Sequence, residues 1–209
     1  MSIEELRAVA TRWDLLTHGF YQRWVAGDLS LDELEDYACQ YHQVVKAIPG
    51  WMRQAAAGDD ATREVLESHA VEEESHVEMW ADFAISLGVT ADQLTSTVPN
   101  DATRALLEAG DALSSSGNGA AVVWALEAQT PAVSVAKLDG LREHYGIDAG
   151  NGGRYFDLHK TMDLEHADEL EGVIEADSAL AASAPAAAAT MLEGLWNLLS
   201  SVERPPVPA

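Results

Sequence analysis

The chain is short of positive charge: 12 lysines and arginines face 35 aspartates and glutamates in 209 residues, a formal charge of −23. Nucleic acids and anionic membranes both demand a basic footprint, so neither is an expected partner. Lysine is scarcest among the cations, present only as Lys46, Lys137 and Lys160. Cysteine is almost absent. Cys39 alone excludes an intrachain disulfide, and its place in a helical run reads as a small core residue. No apolar run reaches the length of a membrane span, and Met1-Ser2-Ile3-Glu4-Glu5 has neither a basic nor an apolar leader region. A cytoplasmic protein is expected. No segment alternates apolar and polar residues as a half-buried strand does.

What is present is helical period. With 47% hydrophobic residues the chain can fill one sizeable core, read as a single helical domain over 1–204 with a proline-rich tail at 205–209. Ser2 with Glu5, Ser30 with Glu33 and Thr90 with Gln93 read as capping boxes. Apolar positions keep helical spacing from Ile3 to about Ala26, and again from Leu34 to Ile48, where Pro49 breaks or kinks a helix that continues to about Ala57. A long helix spans about Ala61 to Leu87 and ends at Gly88, and another runs from Asn100 to Ser114. A helix from Ala120 to Tyr145 should kink at Pro131, and one from about Arg154 to Ala176 follows a glycine-rich loop. An alanine-rich linker then leads to a last helix from Pro185. The fold class is all-α, with about seven helices.

Two of these helices carry matching triads. His159, Asp163 and His166 form H-x3-D-x2-H, and His69, Glu73 and His76 form H-x3-E-x2-H. Helical positions 0, 4 and 7 fall within roughly 60° of one another, so each triad points one way. Four of seven histidines are used in this pattern. A solvated polar face would explain one triad more readily than two. Glu127 is an acid inside the apolar run from Val122 to Ala128, and buried carboxylates are rare unless paired or metal-bound. Its alternatives are a cap or an ion pair with Arg142 or Lys137. Together Glu73, His76, Glu127, His159, Asp163 and His166 offer three carboxylates and three imidazoles, a set suited to two iron ions. Lys137 lies about 80° around the helix from Glu127. On an apolar face beside a metal its pKa would fall, making it a nucleophile or amino donor, against the plainer reading of a solvated lysine. Tyr21, Tyr37 and Tyr41, on the first two helices, either reach such a site or pack in the core.

Gln40-Tyr41-His42, the segment His76 to Gly88, the set Glu127, Pro131 and Lys137, and above all H-x3-D-x2-H at 159–166 resemble the haem-oxygenase-like di-metal oxidases over most of the chain. The match is strongest to the CADD-like branch, relatives by fold of TenA and PqqC. The resemblance implies a haem-oxygenase-like bundle holding two iron ions, or manganese and iron. O2 is the implied co-substrate, and the electrons come from an external donor. In CADD-like members the outcome is p-aminobenzoate for folate, formed from the protein's own tyrosine with a lysine supplying nitrogen. Lys137 matches that lysine, and Tyr21 or Tyr41 the tyrosine. Other members oxidise an external small molecule by N-oxygenation or C–C cleavage, and a homodimer is left open. One departure stands out. The branch separates its first Glu and His ligands by six residues, a spacing at which this chain has His69, so Glu73 with His76 is the expected pair and His69 an orienting group or extra ligand. A different class, a ferritin-like metal-storage bundle, would need an inward glutamate from the early helices, where only Glu33 and Glu35 stand near a helix start. A metal-free TenA-like hydrolase would need Cys39 as its cysteine.

Overall fold

The computed structural model describes residues 3–55 and 60–204, so the capping box at Ser2, the helix limit at Ala57 and the tail at 205–209 lie outside the described residues. The all-α expectation is borne out: ten α-helices and no strand occur among the described residues. They are α1 (Ile3–Arg12), α2 (Gly19–Ala26), α3 (Leu31–Ala55), α4 (Asp60–Leu87), α5 (Ala91–Ser96), α6 (Asp101–Leu113), α7 (Gly119–Glu127), α8 (Thr130–Gly140), α9 (Arg154–Ala176) and α10 (Ser178–Val202).

The differences from the sequence reading lie at the joints. The run from Ile3 to Ala26 is broken because two side chains cap in its middle: Asp14 accepts from the Leu16 N–H, and His18 Nδ1 accepts from the Phe20 N–H. Short polar side chains that bond nearby backbone compete with helix continuation. Pro49 neither ends nor splits α3, which runs through it to Ala55. Instead of kinking a single helix, Pro131 sits in the first turn of α8, after a break at 128–129; there a missing N–H costs no helical bond. The alanine-rich stretch is helix, not linker. Asp177 caps α10, and high alanine propensity carries it through Pro185 to Val202. The capping boxes at Ser30/Glu33 and Thr90/Gln93 form as read.

The long helices set the frame. α4 lies along α3, while α9 packs against α7, α8 and α4; α10 closes the other side over α6 and α7. Aromatics are few but concentrated: Phe20, Trp24, Tyr37, Trp80, Phe83 and Phe156 are fully buried and touch in a chain of edge-to-face and tilted contacts. At Gly140 a Cβ would lie 2.7 Å from Trp24 Cδ1, so the missing side chain lets α8 close on that indole. Trp24 Nε1 then donates to the Lys137 carbonyl at 3.1 Å, fixing the backbone that presents Lys137. A further clasp joins two joints. Gln129, between α7 and α8, accepts from the Leu15 N–H at 2.8 Å and donates to the Trp13 carbonyl at 2.9 Å.

Candidate metal centre and lysine chamber

α4, α7 and α9 bring the predicted ligands to one buried place. Glu73, His76, Glu127, His159, Asp163 and His166 are all at most 6% exposed. Donor atoms of Glu73, His76 and His159 lie within 4.8 Å of one another. His76 Nδ1 donates to Glu73 Oε1 at 2.7 Å, and His159 Nε2 is 3.7 Å from the same oxygen. His159 Nδ1 lies 2.6 Å from the Tyr155 carbonyl; a carbonyl only accepts, so that nitrogen carries a proton and Nε2 is the atom turned to the cluster. On the other side His166 Nδ1 is 3.6 Å from Glu127 Oε1.

Metal suitability is decided by what remains unpaired. Both Glu127 oxygens, Asp163 Oδ1, His159 Nε2 and His166 Nδ1 are buried with no hydrogen-bond partner among the described residues. Such groups cost free energy unless something satisfies them, and carboxylate oxygens with imidazole nitrogens suit a divalent transition metal. The donor set fits. Glu127 makes neither of the ion pairs weighed for it: Arg142 turns to Asp139 at 3.6 Å, and Lys137 bonds elsewhere. Glu33 is occupied by both terminal nitrogens of Arg23, at 2.7 and 2.9 Å, so it brings no ferritin-like acid to the cluster. Cys39 and Glu35 line a separate surface cavity with Asn100, and burial pushes the Cys39 thiol up, away from the thiolate a nucleophile needs.

His69 stands apart from the three-residue cluster. Its ring stacks on His166, centroids 3.8 Å apart, and its Nε2 meets Glu169 Oε2 at 2.9 Å. Glu73→Ala is therefore expected to lose metal, while His69→Ala keeps full occupancy but binds less tightly, by about 10- to 100-fold, as for a group that orients a ligand. Elemental analysis after equilibrium dialysis checks this. Full occupancy in Glu73→Ala with loss in His69→Ala would reverse the assignment.

The carboxylates hold opposite proton affinities. Burial alone would raise Glu73, yet His159 and His76 beside it hold it at about 2. Burial pushes Asp163 up to about 9, with Glu127 and Glu73 adding repulsion, and Glu127 rises well above its usual range for the same reasons. A carboxyl whose folded pKa is raised gives its full stability below its unfolded value of 3.8 and loses it as pH rises through about 9. Chelated, metal-free protein should thus lose stability between about pH 5 and pH 9, on the order of 1.4 kcal/mol per unit of displaced pKa. Asp163→Asn should make that profile shallower, leaving the part due to Glu127. Denaturant unfolding across this range tests it, and an equally shallow profile in the unsubstituted protein would refute it.

Next to the metal cluster lies a lysine chamber. Lys137 is 4% exposed, and its Nζ donates to the Tyr37 hydroxyl at 2.6 Å. Tyr37 Oη is in turn 3.4 Å from Tyr21 Oη. Six ring centroids, those of Tyr21, Trp24, Tyr37, Tyr41, Trp80 and Phe156, stand 5.0 to 5.9 Å from the Lys137 nitrogen. Burial lowers the Lys137 pKa to about 7, and no carboxylate among the described residues pairs with it. Burial likewise raises the phenols of Tyr21, Tyr37, Tyr41 and Tyr155, keeping them protonated. Lys137, Tyr21, Tyr41, Ser134 and Tyr155 line a cavity of about 20 Å³. Tyr155 links the two halves: it faces this cavity while its ring stacks on His159 at 3.9 Å.

Lys137, Tyr21 and Tyr41 share one chamber, and two further tyrosines stand there with them: Tyr155, which was not among the candidates offered by the sequence, and Tyr37, which accepts from Lys137. Both had a signal: Tyr155 precedes His159 by one helical turn, and Tyr37 precedes Tyr41 by one.

The all-helical bundle that frames this cluster is a haem-oxygenase-like fold. The fold matches a haem-oxygenase-like domain of unknown function from Shewanella denitrificans with TM-score 0.83 at 18% identity, over 97% of this chain and 92% of that one. It also matches a TenA homologue from Pseudomonas syringae pv. tomato with TM-score 0.82 at 18% identity, over 96% and 90%. The chain belongs to the iron-containing redox enzyme family, whose model matches residues 36–201. It is 32% identical over 203 residues to a 4-aminobenzoate synthase of Chlamydia pneumoniae, covering 90% of this chain and 88% of that protein. A 4-aminobenzoate synthase of Nitrosomonas europaea is 28% identical over 209 residues, covering 90% and 85%. The expected CADD-like affinity is borne out, and by family the protein is an oxidoreductase. Among the described residues no helix is long and apolar enough to cross a membrane.

Proposed function

We propose that this protein is a cytoplasmic, O2-activating oxidase with two iron ions, or manganese and iron, that forms 4-aminobenzoate from one of its own tyrosines with Lys137 as nitrogen donor. The observation that carries the reading is the Lys137 amine held at 2.6 Å from a phenol, in a tyrosine-lined chamber joined to the ligand cluster by Tyr155. The names of the relatives agree with it.

Glu73, His76, Glu127, His159, Asp163 and His166 would hold the ions. Two reduced ions, when bound, supply electrons and open coordination positions for O2, with further electrons from an external donor. The chain's residues do the rest. Tyr155 fixes the His159 ring through its carbonyl and closes one wall of the chamber with its ring. Tyr37 accepts from Lys137 and fixes the amine, and burial leaves a substantial fraction of that amine neutral near pH 7, with its lone pair available. Tyr21 and Tyr41 are the tyrosines offered for cleavage. The cavity of about 20 Å³ supports an internal substrate. It has room for about one water or a diatomic molecule, and none for an added aromatic ring.

The test is anaerobic Fe(II) loading followed by O2 and a reductant with no added substrate. Released 4-aminobenzoate, at most one per chain, is expected with a mass change at Tyr21 or Tyr41. O2 consumption with intact tyrosines and no 4-aminobenzoate would favour an external small-molecule substrate.

A further inference from the structure

A second cavity opens to solvent beside the ligand cluster. It holds about 220 Å³ and is lined by Glu127 and Asp163, whose unpaired oxygens, both of Glu127 and Oδ1 of Asp163, are shut off from solvent behind that lining. Its walls combine small residues, Ala128 from the α7–α8 joint and Ala167 from α9, with the larger Trp124, Pro131 and Leu164. Two more carboxylates, Asp168 and Glu171, stand at its rim. The lysine chamber is a different space, sharing neither Glu127 nor Asp163. The pocket therefore reaches the cluster without passing the tyrosines.

We propose that this pocket is the port through which a hydrated divalent transition-metal cation reaches the cluster, a step that rests on the metal-dependent reading above. Size and charge both point to it. On the measure by which the lysine cavity takes one water, a water needs about 10–15 Å³, so the six of a hydrated ion need roughly 60–90 Å³ and fit the pocket. At the mouth the exposed Asp168 carries negative charge while Glu171 is taken up by Arg7, and a negative charge at a cleft raises the capture rate of a cation. The small residues leave space for the shell to be shed where Glu127 and Asp163 replace its waters.

Arg7 of α1 sets the strength of the rim. Its guanidinium forms a bidentate pair with Glu171, Nε to Oε1 at 2.9 Å and Nη2 to Oε2, and Trp124 Nε1 also donates to Glu171 at 3.3 Å. The arginine side chain is 59% exposed and lies at the pocket itself. It neutralises one rim acid and repels an approaching cation, so α1 acts as a brake on loading.

Stopped-flow uptake of Co(II) by the full chain, followed by its visible absorption, tests the port. Final stoichiometry is measured by elemental analysis and folding by circular dichroism. Ala167→Trp should slow uptake by about tenfold or more and Asp168→Asn should slow it less, whereas Arg7→Ala should speed it, all reaching the wild-type stoichiometry. A second approach is the α4–α9 seam, where the half-exposed Glu72 and Glu169 meet His166 and His69 at 3.7 and 2.9 Å. Wild-type rates in folded Ala167→Trp and Arg7→Ala, with slowing in Glu72→Gln or Glu169→Gln instead, would overturn the proposal. Its failure is separable from that of the function. If the chain takes up no metal, both fall; if the port variants behave as expected but no 4-aminobenzoate appears, the port stands alone.

Discussion

His159→Ala is expected to remove nearly all specific iron uptake, whereas His42→Ala and His144→Ala leave it unchanged. His159 turns Nε2 to the cluster, fixed by the bond from its other nitrogen to the Tyr155 carbonyl, beside Glu73 and His76. Its loss deletes a donor and also frees Glu73 of the neighbour that helps hold its carboxylate charged. Altering a group that merely orients a ligand costs about 10- to 100-fold in metal affinity, and deleting the ligand itself should cost more. His166→Ala should behave alike, because its Nδ1 faces Glu127. His42 is also buried, but it lies on α3 among no carboxylates of the cluster, and His144 Nε2 is engaged with the Val25 carbonyl at 3.0 Å. Elemental analysis after anaerobic Fe(II) loading and desalting measures the difference. Equal iron in all four variants would show that the cluster is not the binding site.

Lys137→Met should abolish 4-aminobenzoate release while iron content stays at the wild-type level. Methionine fills the same chamber without a nitrogen to give, and the buried site already penalises a charge there. Lys137→Arg should also fail, since a guanidinium cannot be deprotonated or readily surrender its nitrogen at neutral pH. In the unsubstituted protein the rate of formation should rise with pH through about 7, the value to which burial lowers this amine, because only the neutral form carries a lone pair. Product from either variant, traced by isotope-labelled lysine, would assign the nitrogen to another source.

The ligand triads were readable because helical period alone brings positions 0, 4 and 7 onto one face, and Glu127 because an acid in an apolar run is costly to bury unless a partner or a metal meets it. The choice between Glu73 and His69 was not. Both share the α4 face with His76, and only the rotation of α4 against α9 sends one to His159 and the other to His166. The joints were hidden for a similar reason. Asp14 and His18 interrupt an apolar pattern that does not change across them, and their caps depend on backbone turns that periodicity does not record. Conversely, alanines that suggested a linker are simply the strongest helix formers, packed against α6 and α7. The six-ring enclosure of Lys137 draws on α2, α3, α4 and α9, so no single window of sequence displays it.

The Gln129 clasp also imposes an order of assembly. Leu15 and Gln129 are 114 residues apart, and the joint between α1 and α2 is held from the later part of the chain, by that amide and by Ser200 against His18. On a ribosome the N-terminal helices emerge first, yet these anchors are not synthesised until more than half the protein has left. Tyr21 can meet Lys137 only once the segment bearing the lysine has been made, shortly before α9 follows. The side chains proposed to react thus come together only when the scaffold around them is nearly complete.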